Sequence, residues 1–491
     1  MPAKEPFSDA FALLHGMLEP FGQAHLLRDW TQLNDEQRGR LTAQIYDLDL
    51  PLLNRLFEAH DVGASVTDSD IEPAPIVSLP KDFDDWAQRE SAGEVGEELL
   101  AAGKVAVVLV AGGQGSRLGF DGPKGAFPIG PVSGHCLFQL FAEQVVALTR
   151  RFERPLPLLI MTSTENDLTT RALFERQRYF GLSPDQVTFF QQRMMPAVDA
   201  QTGRILRTSP DQIALSPNGH GGTLDALHRG GHLRRLQDNG VDTLFYFQVD
   251  NPLVKVADPI FLGLHRTHDA ELSTKVVRKT DPEERIGLVV HRGGRSGVVE
   301  YTEIKKEDAM RRADDGGLLY FAGSTAIHLF SVSFLMRLAE AQTILPYHRA
   351  HKCMSYLDEA GQIVKPTGPN AYKFEMFIFD AMPLARRVMT METDRAEEFE
   401  PLKNAEGPYS PASVKQAIAD RCARWLSQAG VRVATSGGRT PPLEISPLFA
   451  YDAEELRAKV AGMGEISAGT FLGPDFVPPR AATEDADTQG N

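Results

Sequence analysis

The sequence contains few cysteines, and their spacing excludes two classes of protein. The 491 residues include 3 cysteines, Cys136, Cys353 and Cys422. These are widely separated and form no CxxC pair, so neither a disulfide framework nor a zinc cluster is supported. We expect free thiols in a reducing compartment.

Long hydrophobic runs are also missing. The longest purely apolar run, residues 105–111, is much shorter than the roughly 20 residues that cross a membrane. Residues 1–21 carry acids and prolines where a signal peptide needs an apolar segment. We therefore expect a cytoplasmic protein with no membrane partner.

Basic residues are fewer than acidic ones. Lys and Arg number 51 and Asp and Glu 66, which gives a formal net charge of −15. Binding to DNA or RNA needs a basic surface, so we expect no nucleic-acid partner. A few local cations can still bind a small anion, because local charge can outweigh the global field.

The order of apolar patterns predicts an α/β protein in three parts. Residues 1–95 are expected to form a helical N-terminal region, because leucines recur there at helical spacing. Residues 96–390 alternate strand-like and helical stretches, which predicts a Rossmann-like core with a mixed sheet. A small β-rich C-terminal domain is expected at 391–475 and a disordered tail at 476–491. Core strands are predicted at 105–110, 156–161, 188–190 and 244–249, with more antiparallel strands between 286 and 330.

A glycine-rich loop follows the first core strand. The strand 105–110 leads into Gly112 and Gly113, and the loop then carries Arg117 and Lys124. Glycines allow close backbone approach to a ligand, and their N–H groups can bind phosphate oxygens. A tight strand-to-helix turn without a ligand is the alternative reading of these glycines.

This loop fits neither of two familiar phosphate motifs. The dinucleotide fingerprint GxGxxG fails because residue 118 is leucine, and the Walker A pattern fails because Lys124 stands between Pro123 and Gly125. Other catalytic motifs are absent as well. The 13 histidines form no HExxH, and we predict no zinc site at His348 and His351. There is no GxSxG nucleophile motif.

An aspartate ends another predicted core strand. Asp250 follows the strand 244–249. Ligands of open α/β sheets bind at the carboxyl ends of the strands. A carboxylate there suits Mg²⁺, which also takes phosphate oxygens, whereas a turn former or helix cap is the simpler alternative.

The glycine-rich segment LVAGGQGSRLGFDGPKG (109–125) resembles the signature of the UDP-sugar pyrophosphorylases, most closely the eukaryotic-type UDP-N-acetylglucosamine pyrophosphorylases. The similarity extends over nearly the whole chain. The other similar segments are QAHLLRDW (23–30), FFQQRMMPA (189–197), VDNPLVKVADP (249–259), KVVRKTDPEERIGLVV (275–290), VVEYTEI (298–304), RAEEFEPLKNA (395–405) and EISPLFAY (444–451). The resemblance implies the three-part fold described above and a uridylyltransferase, which makes a UDP-sugar and pyrophosphate from UTP and a sugar 1-phosphate.

The resemblance also implies roles for individual residues. Arg117, Lys124 and Lys403 would be catalytic, and Asp250 would hold Mg²⁺ as the cofactor. The implied nucleotide-binding residues are Val110, Ala111, Gly112, Gly113, Lys124, Gln192, Gly219, Asp250 and Lys373. The implied sugar-binding residues are His220, Gly287, Glu300, Tyr301, Ser324, Phe377, Phe379 and Lys403. For Phe377 and Phe379, core packing in a strand is an equal alternative. For Glu300, an exposed position in a strand pair is the simpler but less favoured alternative.

Two positions depart from the acetylglucosamine pattern. His220 stands where that pattern has asparagine in G-N-G-G, and relatives that use glucose 1-phosphate commonly have G-H-G. Ser324 replaces an asparagine of N-A-G-N. Both departures fall on the sugar side, so the resemblance supports the nucleotide better than the sugar.

N-acetylglucosamine 1-phosphate is the first expectation for the sugar substrate. Glucose 1-phosphate, galactose 1-phosphate, and a catalytically silent UDP-sugar-binding protein are the alternatives. The sequence leaves the oligomeric state undetermined.

Overall fold

The computed structural model describes residues 6–59, 71–434 and 438–477. Most of the tail predicted to be disordered, residues 478–491, lies outside this description. The α-helices are α1 (Pro6–Leu18), α2 (Asp35–Tyr46), α3 (Leu50–Glu58), α4 (Phe83–Ala101), α5 (Leu137–Arg151), α6 (Asp167–Arg176), α7 (Gly222–Arg229), α8 (His232–Asp238), α9 (Pro259–Thr267), α10 (Lys306–Ala309), α11 (Val332–Glu340), α12 (Arg395–Glu398), α13 (Pro411–Gln428) and α14 (Ala453–Lys459).

The strands include the four predicted for the core. They are β1 (Ile71–Pro73), β2 (Val105–Val110), β3 (Leu158–Thr162), β4 (Val187–Gln191), β5 (Met194–Pro196), β6 (Val198–Asp199), β7 (Arg207–Ser209), β8 (Gln212–Ile213), β9 (Leu215–Pro217), β10 (Thr243–Gln248), β11 (Leu272–Arg278), β12 (Leu288–Arg292), β13 (Arg295–Val299), β14 (Ala322–Ser331), β15 (Tyr347–Lys352), β16 (Tyr356–Leu357), β17 (Ile363–Val364), β18 (Ala371–Met376), β19 (Val388–Glu392), β20 (Arg432–Val433), β21 (Glu444–Ile445), β22 (Glu465–Ile466) and β23 (Phe471–Leu472).

The chain folds into two compact units. The small unit comprises Met1–Ser69, Gln192–Ala226 and Thr343–Ala381, and the large unit comprises Asp70–Gln191, Leu227–Gln342 and Met382–Asn491. The predicted parts 1–95, 96–390 and 391–475 have different limits, because they follow chain order whereas the chain passes between the two units repeatedly. The predicted C-terminal segment thus belongs to the same unit as the large sheet. The division into three parts stays a prediction.

The large unit is built on a mixed ten-stranded sheet. The order is β1-β12-β14-β10-β2-β3-β4, with β11 paired to β14 and β19, and β13 paired to β12. Strands β10, β2, β3 and β4 are parallel, and β14 runs antiparallel to β10 and β11. The parallel strands read as continuous apolar runs because both faces of the sheet are covered. Strand β3 is buried along its whole length.

The segment after β19 packs on this sheet through α13. Helix α13 starts with a capping box between Ser410 and Ser413 and carries Pro411 in its first turn, a favourable helix start. Its apolar face, including Cys422 and Leu426, belongs to the same hydrophobic core as Val107 and Leu109 of β2. Around it, β20 pairs with β22 and β21 with β23.

The small unit joins the N-terminal helices to short sheets. Helix α2 begins at the cap Asn34, as its sequence predicts. Apolar side chains of the N-terminal helical region, among them Leu26 and Leu41, share a core with Val198, Ile205 and Phe374. Strands β15, β18 and β6 form the largest sheet of this unit. In the described parts of both units, no helix has the length and apolar character needed to cross a membrane.

Candidate active site

The glycine-rich loop extends the central sheet of the large unit. Ala111 N–H donates to the Met161 carbonyl at 2.8 Å, and Lys124 N–H donates to the Gly113 carbonyl at 3.1 Å. The buried Asn166 amide donates to the Ala111 carbonyl at 2.9 Å and to the Gly113 carbonyl at 3.3 Å. These bonds fix the backbone from residue 111 to residue 124 at the carboxyl end of β2.

The two cations of this loop have different environments. Arg117 is exposed and makes no ion pair with any residue that the structure describes. The Lys124 ammonium is partly buried and donates to the Leu402 carbonyl at 3.1 Å. Lys124 is thereby tied to the segment 398–403, and Arg117 keeps its full charge for a ligand.

The segment 398–403 is fastened to the end of β10, where Asp250 lies. Leu402 N–H donates to the Asp250 carbonyl at 2.7 Å. The buried Asn251 amide donates to the Glu398 carbonyl at 2.7 Å and accepts from Glu400 N–H at 3.2 Å. The Asp250 carboxylate itself makes no hydrogen bond or ion pair within the described residues. The structure therefore brings together Asp250, Lys124 and the segment that carries Lys403.

Lys403 follows this anchor directly. Its backbone N–H donates to the Tyr409 carbonyl at 2.8 Å, which closes the loop after it. The Tyr409 hydroxyl donates to Glu284 at 3.0 Å, and Arg395 pairs with Glu284 at 2.9 Å. Burial, together with the Glu284 carboxylate, raises the pKa of Tyr409. The Lys403 side chain is exposed and unpaired in the described structure.

A buried ion cluster lies behind the segment. Lys275, which is fully buried on β11, donates to Asp258 at 2.8 Å and to the two Glu398 oxygens at 2.7 and 2.6 Å. Lys255 also pairs with Asp258, at 3.2 Å. Burial by itself would raise the pKa of Asp258, but Lys255 and Lys275 hold it well below its usual range. The two lysines and two carboxylates balance in charge, so no ion of the cluster is left without an opposite charge.

Another group of predicted residues lies where β12, β13 and β14 meet. Ser324 N–H donates to the Gly287 carbonyl at 2.8 Å. A side chain at position 287 would lie about 3.2 Å from the Glu300 carboxylate, so Gly287 and Glu300 are close neighbours. Tyr301 is 42% exposed. Gly287, Glu300 and Ser324 are thus brought together within the large unit.

The remaining predicted residues belong to the small unit. Gly219 has a φ of +84°, and a Cβ there would lie 2.4 Å from the Met376 carbonyl oxygen, so only glycine fits. Gly221 N–H donates to that same carbonyl at 2.8 Å, and Met376 N–H donates to the Asn218 carbonyl at 2.8 Å. Gln192 is buried, at 7% exposure. The turn 218–222 is thereby bound to the end of β18, the strand that carries Lys373.

Aromatic rings stack beside this turn. The His220 ring lies over Phe377 with ring centroids 5.3 Å apart and planes at 20°, and His348 covers Phe377 with centroids 4.4 Å apart. The His348 Nε2 lies 2.8 Å from the Asp380 carboxylate. Phe379 packs at 5.7 Å from His220. The two phenylalanines therefore support the histidine as well as being candidates for ligand contact.

The predicted residues thus fall into groups in two units. Gln192, Gly219, His220, Lys373, Phe377 and Phe379 belong to the small unit, and the others belong to the large unit. Sequence reasoning did not identify Asn166, Asn251, Lys275, Glu398 and His348 as supports of the site. Asn251, Lys275 and Glu398 stand inside segments quoted for the resemblance, which is the signal that could have identified them.

The described residues contain no group of three or more His, Cys, Asp or Glu side chains placed to hold a metal ion. A metal at Asp250 would take one protein carboxylate, with its other ligands from phosphate oxygens and water. That is how Mg²⁺ commonly binds beside nucleotides, so the donor present at residue 250 fits this ion.

Fold and site together define a nucleotidyltransferase. The chain carries a glycine-rich loop and cations at the carboxyl end of a mixed sheet, where open α/β sheets bind their ligands. Comparison with known proteins identifies the family. Residues 51–423 match the family described as UTP–glucose-1-phosphate uridylyltransferase, and the chain belongs to this family.

Individual relatives match over most of the chain. The chain is 36% identical to UDP-N-acetylhexosamine pyrophosphorylase-like protein 1 of Homo sapiens, and the match covers 91% of this chain and 94% of the relative. It is 34% identical to UDP-N-acetylglucosamine diphosphorylase 2 of Arabidopsis thaliana, covering 94% of each chain. A solved structure of the uridine diphosphate N-acetylglucosamine pyrophosphorylase from Trypanosoma brucei is 28% identical, with a TM-score of 0.78, and covers 91% of this chain and 94% of that one.

The chain is therefore an enzyme, a uridylyltransferase that acts on UTP and a sugar 1-phosphate. The family and fold that the sequence predicts are confirmed.

Proposed function

We propose that the chain transfers the uridylyl group of UTP to N-acetylglucosamine 1-phosphate, releasing pyrophosphate. The observation that carries this proposal is the anchoring of Lys124, Asp250 and Lys403 around one short segment, through Leu402. The names of the Homo sapiens and Arabidopsis thaliana relatives support an acetylated sugar.

The chemistry assigns a role to each charged group. An oxygen of the sugar phosphate attacks the α-phosphorus of UTP, a new P–O bond forms, and the bond to the leaving pyrophosphate breaks on the opposite side. The nucleophile is already an anion, so no base is required. Negative charge rises on the phosphoryl oxygens and on the leaving group, which makes fixed cations more useful than an acid. Arg117 and Lys124 serve the triphosphate, and Lys403 serves the sugar phosphate.

The tie between Lys124 and Leu402 supports this assignment. The ammonium uses one of its three N–H donors on that carbonyl, which leaves two for phosphate oxygens. Such pre-organised donors stabilise a transition state without reorganisation during the reaction.

We infer that Asp250 holds Mg²⁺. Its carboxylate lies at a strand end and has no protein partner in the described structure, which leaves it available as a ligand. When bound, this ion neutralises charge on the phosphate oxygens. Asp250 would position the triphosphate through the ion, and the anchored segment beside it would position Lys403.

The small unit supplies the proposed base-binding residues. Gln192 offers an amide with both donors and acceptors, and Gly219 allows close backbone approach, which together suit a flat base such as uracil. Lys373 has no partner among the described residues, so its charge is available to the UTP phosphates.

The proposed sugar contacts are Gly287, Glu300, Tyr301 and Ser324 in the large unit and His220, Phe377 and Phe379 in the small unit. Because His220 and Ser324 replace asparagines of the acetylglucosamine pattern, the same reaction on glucose 1-phosphate or galactose 1-phosphate is the second candidate.

Pyrophosphate release tests the proposal. The chain is mixed with UTP, Mg²⁺ and, separately, the 1-phosphates of N-acetylglucosamine, glucose and galactose, with CTP in place of UTP as the matched control. We expect the fastest release with UTP and N-acetylglucosamine 1-phosphate. Faster release with glucose or galactose 1-phosphate would favour the second candidate. No release with any sugar, together with retained UDP-sugar binding, would indicate a silent binding protein.

A further inference from the structure

A concave site lies in the large unit, at the opposite end of the sheet's strands from Asp250. It is a cavity of about 500 Å³, bordered by residues that precede β11 and β19. Strand β14 runs antiparallel to both β10 and β11, so β10 and β11 point the same way. Asp250 follows the carboxyl end of β10, whereas the cavity lies at the amino end of β11. The length of the seven-residue strand β11 therefore separates them, roughly 20 Å.

The walls of this cavity are basic. It is lined by Pro75, His268, Ala270, His291, Gly294, Arg295, Ser296, Leu384, Ala385, Arg386, Arg387 and Val388. These include three arginines and two histidines and no aspartate or glutamate. In a chain of net charge −15, an ordinary stretch of surface carries more acids than bases. A concave basic surface in such a chain attracts anions locally against the global field.

Two acids in the segments that line the cavity, Asp269 and Glu271, are already engaged. Asp269 pairs with Arg387. Glu271 accepts from Arg337 at 2.8 Å and from Arg386 N–H at 2.7 Å, and the Arg337 hydrogen bond lowers the pKa of Glu271. Glu72 is opposite His291 in the register of β1 and β12, and its exposed side chain makes no hydrogen bond or ion pair in the described structure. These contacts leave the Arg386 guanidinium without a hydrogen bond or ion pair in the described structure.

Two of the arginines are held in place by backbone carbonyls. The Arg295 guanidinium donates to the Pro383 carbonyl at 2.6 Å, which links the β12–β13 hairpin to the segment before β19. The Arg387 guanidinium donates to the Asp269 carbonyl at 2.6 Å. Each guanidinium has five N–H donors, so both retain donors for a ligand. Held in this way, the arginines lose less freedom when an anion binds.

We propose that this cavity binds a small anion with two or more phosphate groups, at a site separate from Asp250 and Lys403. A planar guanidinium can bind two phosphate oxygens at once. Three arginines in one cavity supply more positive charge than a single carboxylate group would neutralise. The volume lies within the range of small-molecule sites. A nucleotide and a free inorganic oligophosphate both carry such linked phosphate groups.

Counting binding sites tests the proposal. Inorganic triphosphate is titrated by equilibrium dialysis, without metal, at about 0.15 M ionic strength. The proteins are the full chain, its Arg295→Gln/Arg386→Gln variant, and the matched control Arg234→Gln/Arg235→Gln. The control removes two exposed arginines of α8 that do not line the cavity. We expect the cavity variant to lose one site per chain, or to bind there at least about tenfold more weakly, and the control to match the unchanged chain.

Further probes identify the source of the phosphate groups. If UDP displaces triphosphate from the arginine-dependent site, the site accepts nucleotides. If only inorganic oligophosphates displace triphosphate, the site binds free oligophosphates and excludes nucleotides. Either result supports the proposal. Equal site number and affinity in the cavity variant would overturn it, and so would displacement by uridine. A wild-type count of one site that the cavity variant abolishes would support this proposal, and it would mean that Arg117 and Lys124 bind triphosphate only when Mg²⁺ is present.

Discussion

At the residue scale, the charged side chains beside β2 and β10 differ in whether they have a hydrogen-bond partner within the protein. The Lys124 ammonium donates one hydrogen bond to the Leu402 carbonyl. By contrast, the side chains of Arg117, Lys403 and Asp250 make no hydrogen bond or ion pair in the described chain. Charged groups without a protein partner remain available to a ligand of opposite charge. This arrangement is typical of residues kept for substrate.

Replacing Lys403 by alanine should reduce turnover and leave UTP binding largely intact. Losing one pre-organised donor to a reacting phosphate costs on the order of 10²–10³ in rate. Steady-state kinetics with varied sugar phosphate measure the effect, and Lys415→Ala, on α13, is the matched control. A loss in kcat/KM below about tenfold would rule out the proposed role.

Replacing Asp250 by alanine should abolish Mg²⁺-dependent activity without unfolding the large unit. The carboxylate makes no described contact, so its removal breaks no internal bond. Activity is measured over a Mg²⁺ titration and folding by thermal denaturation, with Asp238→Ala as the control. Wild-type turnover at the same Mg²⁺ concentration would show that Asp250 does not anchor the metal.

The pair His220→Asn and Ser324→Asn should shift the ratio of kcat/KM values towards N-acetylglucosamine 1-phosphate and away from glucose 1-phosphate. An amide supplies the donor and acceptor that an acetamido group pairs with, and unpaired polar groups penalise the other sugar.

His220 also stacks on Phe377, so the variant loses a ring contact. His348→Asn removes the stacking partner on Phe377 without changing residue 220, and it serves as the control for that loss. An unchanged ratio of the two specificity constants in the double variant would mean that these positions do not select the sugar.

At the element scale, the buried cluster of Lys275, Asp258 and Glu398 connects β11, the start of α9 and α12. Glu398 is bonded through its carbonyl to Asn251, the neighbour of Asp250. The cluster therefore supports the segment 398–403 without reaching a substrate. Lys275 is a positioning residue on this argument, since it acts through Glu398.

The charge-balanced variant Lys275→Met/Glu398→Gln should lower kcat while KM for UTP changes little. Both charges disappear together, and Asp258 keeps Lys255 as its partner, so no buried charge is left unpaired. A shift of the segment by about 1 Å can cost roughly 10²-fold in rate.

Kinetics and melting temperature are compared with Arg266→Gln/Asp242→Asn, which removes an exposed pair elsewhere in the same unit. A lower melting temperature with unchanged kcat would show that the cluster is structural only.

At the scale of the whole molecule, each unit contains a histidine that burial keeps neutral, half-buried His25 in the small unit and fully buried His265 in the large unit. In the small unit, His25 Nε2 donates to the Ile205 carbonyl at 2.8 Å, and burial lowers the pKa of His25 to about 4. In the large unit, His265 lies between the Ser273 and Ser331 hydroxyls at 2.7 and 3.2 Å, and burial lowers its pKa to about 4 as well.

Acid should therefore destabilise both units between pH 6.5 and 4. The unfolded chain protonates these histidines as pH falls through 6.5, whereas the folded chain does so only near 4, so the unfolded state gains protons first. For His265 the loss in free energy of unfolding is about 3 kcal/mol at most.

Melting temperatures between pH 4 and 7 measure this dependence. They should fall less steeply in His25→Gln and His265→Gln than in the unchanged chain. An equal dependence of melting temperature on pH in all three proteins would show that these two histidines do not cause the acid destabilisation.

The sequence predicts the local parts of this fold well, because they depend on neighbouring residues. The run 105–110 is strand β2, and the cap at Asn34 starts α2. The units are less predictable, since residues 192–226 and 343–381 join the N-terminal helices. Their assignment depends on which apolar faces meet across long sequence separations, as Ile205 and Phe374 do with Leu26.

For the candidate site, the sequence by itself determined the glycine-rich loop, the carboxylate at the end of β10 and the family. These features depend on the order of neighbouring residues, which can be read directly from a sequence motif. Only the tertiary structure decided that Lys124 meets the Leu402 carbonyl 278 residues away, and that Lys275 pairs with Glu398 across 123 residues. It also decided that arginines from two separate segments line one cavity. Such contacts arise from packing of distant elements, and the identity of a single charged residue does not reveal its partner.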